Sequence, residues 1–267
     1  MRFLPADPRY WQIAMLSGLL AYGVGGLDFS IAAANAGTIL LVAQLTQWVG
    51  NRAQGAPYDP KSALISSLSL CLLLRTNALW VAAAAAVIAV GSKFVVRWNG
   101  KHLFNPTNLA LVAVIAADAG WVSPGQWGNT AFLAFLFGCI GGLVVYRAER
   151  SDVTYAFFLF YSALLFGRSA WLGEPMTIPL HRLESGALLL FGFFMISDPR
   201  TTPDTRAGRI LFAALVAFGA WYVQFRMFRT NGLLWSLVVM SAFTPLIDAA
   251  LRGRRYQWPT SPVWRLA

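Results

Sequence analysis

Long apolar runs alternate with short polar stretches along the whole chain. A helix needs about 20 apolar residues to cross roughly 30 Å of hydrocarbon, and most of these runs approach that length. The pattern predicts an all-α polytopic membrane protein in which residues 1–267 form a single transmembrane domain. We predict about ten membrane segments, at residues 11–27, 32–50, 61–74, 77–92, 103–119, 128–146, 153–167, 184–197, 208–225 and 231–250. Segment 61–74 is too short to cross alone, which indicates a broken or half-length helix.

Composition and charge agree with a membrane-embedded chain. Hydrophobic residues make up 57% of the sequence and charged residues 12%, whereas soluble domains carry about 25% charged residues. The net charge of +10 would suit a nucleic-acid partner, but sixteen of the 21 Lys and Arg residues fall on one predicted side. This asymmetry follows the positive-inside rule. We therefore expect contact with a lipid bilayer, both termini in the cytoplasm, and no nucleic-acid partner.

Common metal and haem chemistry is missing from the sequence. Cys71 and Cys139 stand alone in apolar runs, so we predict no iron–sulfur cluster. His102 and His181 fall on opposite predicted sides of the membrane, which argues against a bis-histidine haem. The sequence also predicts no metal site and no catalytic residues.

Three polar elbows interrupt the apolar helices. They are Arg75-Thr76-Asn77, Asn105-Pro106-Thr107-Asn108 and the stretch Ser197–Thr202. Each has an ordinary interpretation, because Asn-Pro is good helix-capping chemistry and Asp-Pro is common in turns. The second and third elbows are predicted on the same, cytoplasmic side. Helix N-termini there would offer unpaired N–H groups to a phosphate or a flavin carbonyl edge, and Arg200 could add a cation.

A weak internal similarity accompanies these elbows. The stretch LLLRTNALW around Arg75 resembles LLFGRSAWL around Arg168, and each arginine precedes a proline, Pro106 or Pro199, by 31 residues. The similarity indicates an internal repeat, and transporter folds often place sites at the broken helices of repeats. The two copies are four predicted segments apart, which would make them parallel rather than inverted.

The order of several short motifs resembles the RnfD/NqrB family, that is, the D subunit of the Rnf complex and the B subunit of the sodium-pumping NADH:quinone oxidoreductase. The resemblance covers about residues 61–250. The motifs that carry it are Phe104-Asn105-Pro106, Phe194-Met195 with Ser197-Asp198-Pro199, Gly208-Arg209, and Thr244-Pro245-Leu246 with Asp248.

This resemblance implies a ten-span subunit that binds flavin, as FMN or riboflavin, or quinone, within a redox-driven ion pump of a bacterial cytoplasmic (inner) membrane. Residues carried over by match are Asn105 and Asp198, with Thr107, Asn108 and Arg200 as neighbours; Arg75 is a further candidate from the first elbow. The family's Ser-Gly-Ala-Thr flavinylation motif is absent, and its loop is short here, at residues 118–130. Because the motif is absent and the loop is short, we expect the flavin to be non-covalent. If FMN were attached covalently, the candidate residue would be Thr130, the only threonine in that loop.

Two main functions remain open on sequence grounds. In the first, the chain is an electron-transfer subunit that receives electrons from other membrane or redox subunits, and it is not a complete enzyme. In the alternative, it is a stand-alone small-molecule or ion transporter or channel on the same scaffold, without a redox cofactor. A structural anchor for partner subunits is a third interpretation, but it does not require the polar elbows.

Overall fold

The structure of the chain, a computed structural model, describes residues 7–27, 29, 31–123 and 136–258. Most of the described residues are helical. The α-helices and two π-helices are α1 (Pro8–Gly26), α2 (Ala33–Ala53), α3 (Lys61–Leu73), α4 (Leu79–Val95), α5 (Pro106–Ala116), π1 (Phe137–Gly141), α6 (Gly142–Arg147), α7 (Ser151–Leu172), α8 (Thr177–Leu183), α9 (Gly186–Leu190), π2 (Phe191–Met195), α10 (Arg206–Phe225), α11 (Gly232–Ala242) and α12 (Thr244–Ala250).

Only part of the predicted membrane topology is visible from helix length and composition. Among the described residues, α7 and α10 are long and apolar enough to cross a membrane. The pair α11 and α12, bent by 48° at Phe243, makes a third if it is counted as one span. Large apolar side chains point outward, with Trp171 89% and Leu159 68% exposed. Such an outer surface is typical of lipid contact.

The core is formed by helices that pack closely through small side chains. Helix α10 packs between α7 and α11, α4 packs against α2 and α5, and α3 packs against α1. The buried face of α4 carries alanines at 82, 85, 86 and 89, and that of α10 carries alanines at 213, 217 and 220. Small residues of this kind allow close approach of helix backbones in membrane proteins.

The start of α11 gives a direct test of this packing. A Cβ atom on Gly232 would lie 2.6 Å from the backbone oxygen of Ala220 in α10. A backbone oxygen cannot turn away, so we expect Gly232→Ala to lower the free energy of unfolding by about 1–3 kcal/mol. Gly167 in α7 has open space where a Cβ would stand. Gly167→Ala is the matched control; equal thermal stability of the two variants in detergent would contradict the packing described here.

Two short buried helices lie in the segments predicted at 61–74 and 103–119, and the first is the half-length helix that its sequence indicated. Helices α3 and α5 have 13 and 11 residues. Beyond them the chain forms two short strands, β1 (Leu74–Arg75) and β4 (Trp121–Val122), which pair antiparallel. Because β1 is buried, its backbone is covered by protein, the condition under which non-helical backbone is tolerated at membrane depth.

A small hairpin precedes α5 in this mostly helical chain. Strands β2 (Arg97–Trp98) and β3 (Lys101–His102) pair antiparallel around Asn99-Gly100. Both turn residues have positive φ, 49° and 77°. Asn-Gly is the dipeptide preferred in such two-residue turns, so the sequence carried this signal.

The two stretches that indicated a repeat adopt different structures. Arg75 lies in β1 after the short helix α3, whereas Arg168 lies inside the long helix α7. The similarity between LLLRTNALW and LLFGRSAWL therefore does not extend to local structure.

Candidate functional site

Asn105 links the second elbow to the third. It is the N-cap of α5, where its side chain accepts a hydrogen bond from the Asn108 N–H at 3.0 Å. Its Nδ2 donates to the Met195 carbonyl at 3.2 Å and lies 3.5 Å from Asp198 Oδ2. One buried side chain thus both starts a helix and holds the end of π2 against it.

Asp198 lies in the tight turn that follows π2. Its Oδ1 accepts from the Arg200 N–H at 3.0 Å, and its carbonyl accepts from Thr201 and Thr202 N–H, both at 3.1 Å. The turn is entered from a π-helix, a rare element that is found frequently at functional sites. The apolar sequence of π2 gave no sign of this geometry.

Arg150 holds the same turn from the start of α7. Its Nε donates to Thr202 Oγ1 at 2.9 Å, and one Nη donates to the Pro199 carbonyl at 3.3 Å. Ser197 Oγ donates to the Phe193 carbonyl. The third elbow is therefore fixed by hydrogen bonds on both sides rather than open to solvent.

A cavity of about 60 Å³ lies where the two elbows meet. Asn105, Thr107 and Asp198 line it, together with Ser66 of α3 and Phe193 of π2. This volume holds a few water molecules. It is far below the roughly 300–1,000 Å³ of sites that bind cofactor-sized ligands, so a flavin ring does not fit between the elbows as they lie in this structure.

The other predicted site residues divide into near and distant groups. Thr107 Oγ1 donates to the Ser66 carbonyl at 3.4 Å, and Asn108 Nδ2 donates to the Leu234 carbonyl at 3.1 Å. Arg200 lines a neighbouring cleft rather than the cavity. Arg75 lies at the far end of α3, where it donates to the Cys71 and Leu74 carbonyls. Thr130 lies outside the described residues.

Lys93 is a buried polar residue that the sequence pattern placed in a loop. It lies in α4, 4% exposed, and its Nζ donates to the Ser62 carbonyl at 2.9 Å and to Ser62 Oγ at 3.0 Å. Ser62 also lines the cavity between the elbows. The predicted segment 77–92 ends immediately before Lys93, so the sequence analysis did not expect this residue to be buried in a helix.

A larger cleft, of about 340 Å³, lies beside the β2–β3 hairpin. Lys101 from the hairpin bonds Asp204 at 2.9 Å and Asp248 of α12 at 2.7 Å. His102 lines the same cleft, and burial, together with the charges of Arg200 and Arg97, lowers its pKa to about 3. His102 is therefore neutral at physiological pH, and the charged residues that line this cleft are Lys101 with its two carboxylates, Arg252 and Arg255.

Comparison with known proteins finds relatives of the C-terminal half of the chain. A sequence model of the NQR2, RnfD, RnfE family matches residues 114–257, which is more than half of the chain. The chain belongs to the NQR2, RnfD, RnfE family. This confirms the family that the motif order indicated.

Relatives of the chain carry the name of the D subunit of an ion-translocating oxidoreductase complex. The protein from Escherichia coli O1:K1 / APEC is 34% identical over 146 residues. Those from Escherichia coli O157:H7 and Shigella boydii serotype 18 are 33% identical over the same length. The alignment covers 53% of this chain and 38% of each relative, so the chain matches well under half of their length.

Only some of the candidate site residues lie within the part of the chain that the NQR2, RnfD, RnfE model matches. Asp198 and Arg200 lie inside residues 114–257, whereas Asn105, Thr107 and Asn108 precede them. The motif resemblance began at about residue 61, and the family model supports it only from residue 114 onward. The contact between Asn105 and Asp198 in the structure is the evidence that joins the two parts.

The burial of Asp198 predicts a dependence of stability on pH. Burial raises the pKa of Asp198, against the lowering effects of the Arg200 N–H and the charges of Lys93, Arg200 and Arg150. A raised pKa means that the folded chain holds this proton more tightly than the unfolded chain, whose aspartates titrate near 3.9. Stability from this group is therefore present below about pH 3.9 and lost as pH rises through the folded pKa.

We expect Asp198→Asn to remove that component of the pH dependence. The amide keeps the shape of the side chain and cannot ionise. The measurement is thermal unfolding of the full chain in detergent across the acidic range, for the wild type and the variant. Identical pH profiles would show that Asp198 titrates normally.

Proposed function

We propose that this chain is a membrane subunit of an ion-translocating oxidoreductase complex. Family membership and the names of its relatives support this assignment. The predicted topology of about ten membrane segments, with both termini in the cytoplasm of a bacterial cell, is part of the proposal. Its partners are the lipid bilayer and other membrane or redox subunits, which supply the electrons.

The contact between Asn105 and Asp198 carries our proposal for the role of this subunit. Two interrupted helices meet at one small cavity, which is also lined by Arg9, a residue paired with Asp7 and Asp59. The other polar groups on its walls are hydroxyl, amide, carboxylate and backbone oxygen groups. Such groups suit water and a hard cation, because oxygen ligands are those that such cations prefer. We propose that the cavity handles the translocated ion or its water, and that Asp198 supplies the charge that attracts it.

Flavin binding stays a prediction from the family resemblance. Nothing in the geometry of the cavity favours it, because the polar groups of Asn105 and Asp198 are bonded to each other and the volume is small. A flavin or quinone at this place would require the elbows to separate. We therefore assign no step of the function to a cofactor bound between them.

The alternative is a transporter or channel that works without a redox cofactor. The small cavity is compatible with this alternative too, because an ion would fit the cavity equally well in either function. The two functions differ in what drives ion movement. In the proposed function it depends on electron transfer through partner subunits, and in the alternative it does not.

The test uses the full chain, tagged and expressed in a bacterial membrane with its own neighbouring subunits. We expect redox subunits to copurify in mild detergent and ion uptake by inverted vesicles to depend on an added electron donor. Asp198→Asn should reduce this uptake to background. Asn77→Ala is the matched control, because Asn77 belongs to the first elbow and its side chain is exposed.

Four outcomes separate the interpretations. Donor-dependent uptake that requires Asp198 supports the proposal. Donor-independent uptake by the purified chain in liposomes supports the transporter. Uptake that Asp198→Asn leaves unchanged removes the site, and flavin absorbance that stays with the protein and is lost in Asn105→Ala would restore the flavin interpretation.

A further inference from the structure

Five arginines surround one cleft at the end of the bundle where α6 ends and α7 and α10 begin. The cleft has a volume of about 680 Å³. We call it the arginine basin, and its arginines are Arg147, Arg150, Arg209, Arg254 and Arg255. The cavity between the elbows is separate from it.

Most of the acidic side chains near the arginine basin are already paired with a cation. Arg209 forms a two-pronged pair with Asp152, with N–O distances of 2.6 to 2.9 Å. Asp204, on the basin wall, bonds Lys101 at 2.9 Å. Glu149 is the other carboxylate that lines the basin. The four remaining arginines outnumber this one further acidic side chain, so the basin carries a net positive charge.

Arg150 is the most unusual of the five. Its residue is 3% exposed, and its guanidinium donates to Thr202 Oγ1 and to the carbonyls of Glu149 and Pro199. Within the described residues it forms no ion pair with a carboxylate. Burial of an unpaired charge is costly. Burial and the charge of Arg209 lower the pKa of Arg150, which is the response expected of a cation that lacks an anion.

Tyr256 adds a hydrogen-bond donor to the same wall. The Arg150 guanidinium lies 4.9 Å from the centre of its ring. Its hydroxyl is buried and has no hydrogen-bond partner among the described residues. Buried polar groups are nearly always paired in folded proteins, so this hydroxyl lacks an acceptor that a ligand oxygen could provide.

We infer that the arginine basin binds a phosphate group. Guanidinium forks match the oxygens of a phosphate and bind it in pairs, and the Tyr256 hydroxyl offers a further donor. The phosphate can come from an anionic lipid headgroup or from a soluble phosphate compound. Basic clusters beside the ends of membrane helices are typical headgroup sites. This inference does not depend on the proposed function, because it uses none of the cavity residues.

The test compares two probes on the delipidated full chain in detergent. Native mass spectrometry measures retention of added cardiolipin, and thermal unfolding measures stabilisation by inorganic phosphate against chloride at equal ionic strength. The test variant replaces Arg254 and Arg255 by glutamine, since both side chains are exposed and make no ion pair among the described residues. Arg252→Gln is the matched control, because Arg252 is exposed on the same tail and lines the hairpin cleft instead.

We expect at least one of the two probes to bind the wild type and the Arg252→Gln variant equally. The same probe should bind the double variant about tenfold more weakly. Binding of cardiolipin alone identifies a lipid headgroup, and stabilisation by inorganic phosphate identifies a soluble ligand. Equal unfolding temperatures of all three proteins without probe show that the fold is intact. Binding of neither probe, or equal binding by the double variant, would overturn the inference.

Discussion

Replacing Asp7 by alanine is expected to lower the free energy of unfolding by about 3–5 kcal/mol. Asp7 is the N-cap of α1 and is 1% exposed. It bonds Arg9 through Nη2 at 2.7 Å and Nε at 3.0 Å, and Lys61 Nζ lies 3.1 Å away. Removing the carboxylate leaves the buried Arg9 guanidinium with Asp59 alone, and this uncompensated charge is the reason for the large effect.

The same carboxylate should make stability depend on pH. Burial raises the pKa of Asp7, but the hydrogen bonds and charge of Arg9 and the bond from Lys61 outweigh it, so the pKa is lowered. A lowered folded pKa contributes stability above the unfolded value of about 3.9, and this contribution is lost as pH falls through the folded pKa. Thermal unfolding in detergent between neutral and acidic pH measures it.

Asp59 provides the matched control for Asp7. It bonds the same Arg9 at 2.7 Å, but its side chain is 39% exposed. An exposed pair contributes little, so we expect Asp59→Ala to change stability by less than about 1 kcal/mol. Similar losses in Asp7→Ala and Asp59→Ala would show that burial does not decide the strength of this cluster.

Replacing Asn105 by alanine is expected to cost about 2–4 kcal/mol. Loss of the cap on α5 accounts for about 1 kcal/mol. The rest comes from the two hydrogen bonds that Asn105 gives to the Met195 carbonyl and the Asp198 carboxylate, each contributing about 0.5–1.5 kcal/mol. Thermal and denaturant unfolding of the variant measure the loss.

Asn105→Asp separates the two contributions. Aspartate caps helices as well as asparagine does, but it has no N–H groups to donate and places a second carboxylate beside that of Asp198, where the amide nitrogen now lies 3.5 Å away. We expect it to keep α5 and still destabilise the elbow. Full stability of Asn105→Asp would mean that the bridge to π2 contributes nothing.

Local chemistry in the sequence predicted one half of the candidate site. Asn105-Pro106 is a helix start whatever surrounds it, and the structure places the N-cap there. Asn99-Gly100 carried an equally local hairpin signal. Both depend on backbone preferences of a few consecutive residues, which is why they can be read from the chain.

The other half depends on contacts between residues far apart in sequence. Nothing near Asp198 shows that Asn105, 93 residues earlier, would lie against it. Likewise, a run of 14 apolar residues at 61–74 does not show where the helix stops, because strand pairing with Trp121–Val122 ends it. The burial of Lys93 follows from the position of Ser62 on another helix.

A double-mutant cycle between Asn105 and Asp198 tests the central claim most directly. The claim is that two helix breaks distant in sequence form one polar site. The cycle measures unfolding free energies of Asn105→Ala, Asp198→Ala and the double variant in the full chain. The structure predicts a coupling of about 0.5–3 kcal/mol, as found for residues in contact. Additivity within about 0.3–0.5 kcal/mol would show that the two residues do not interact, and the site would not exist as described.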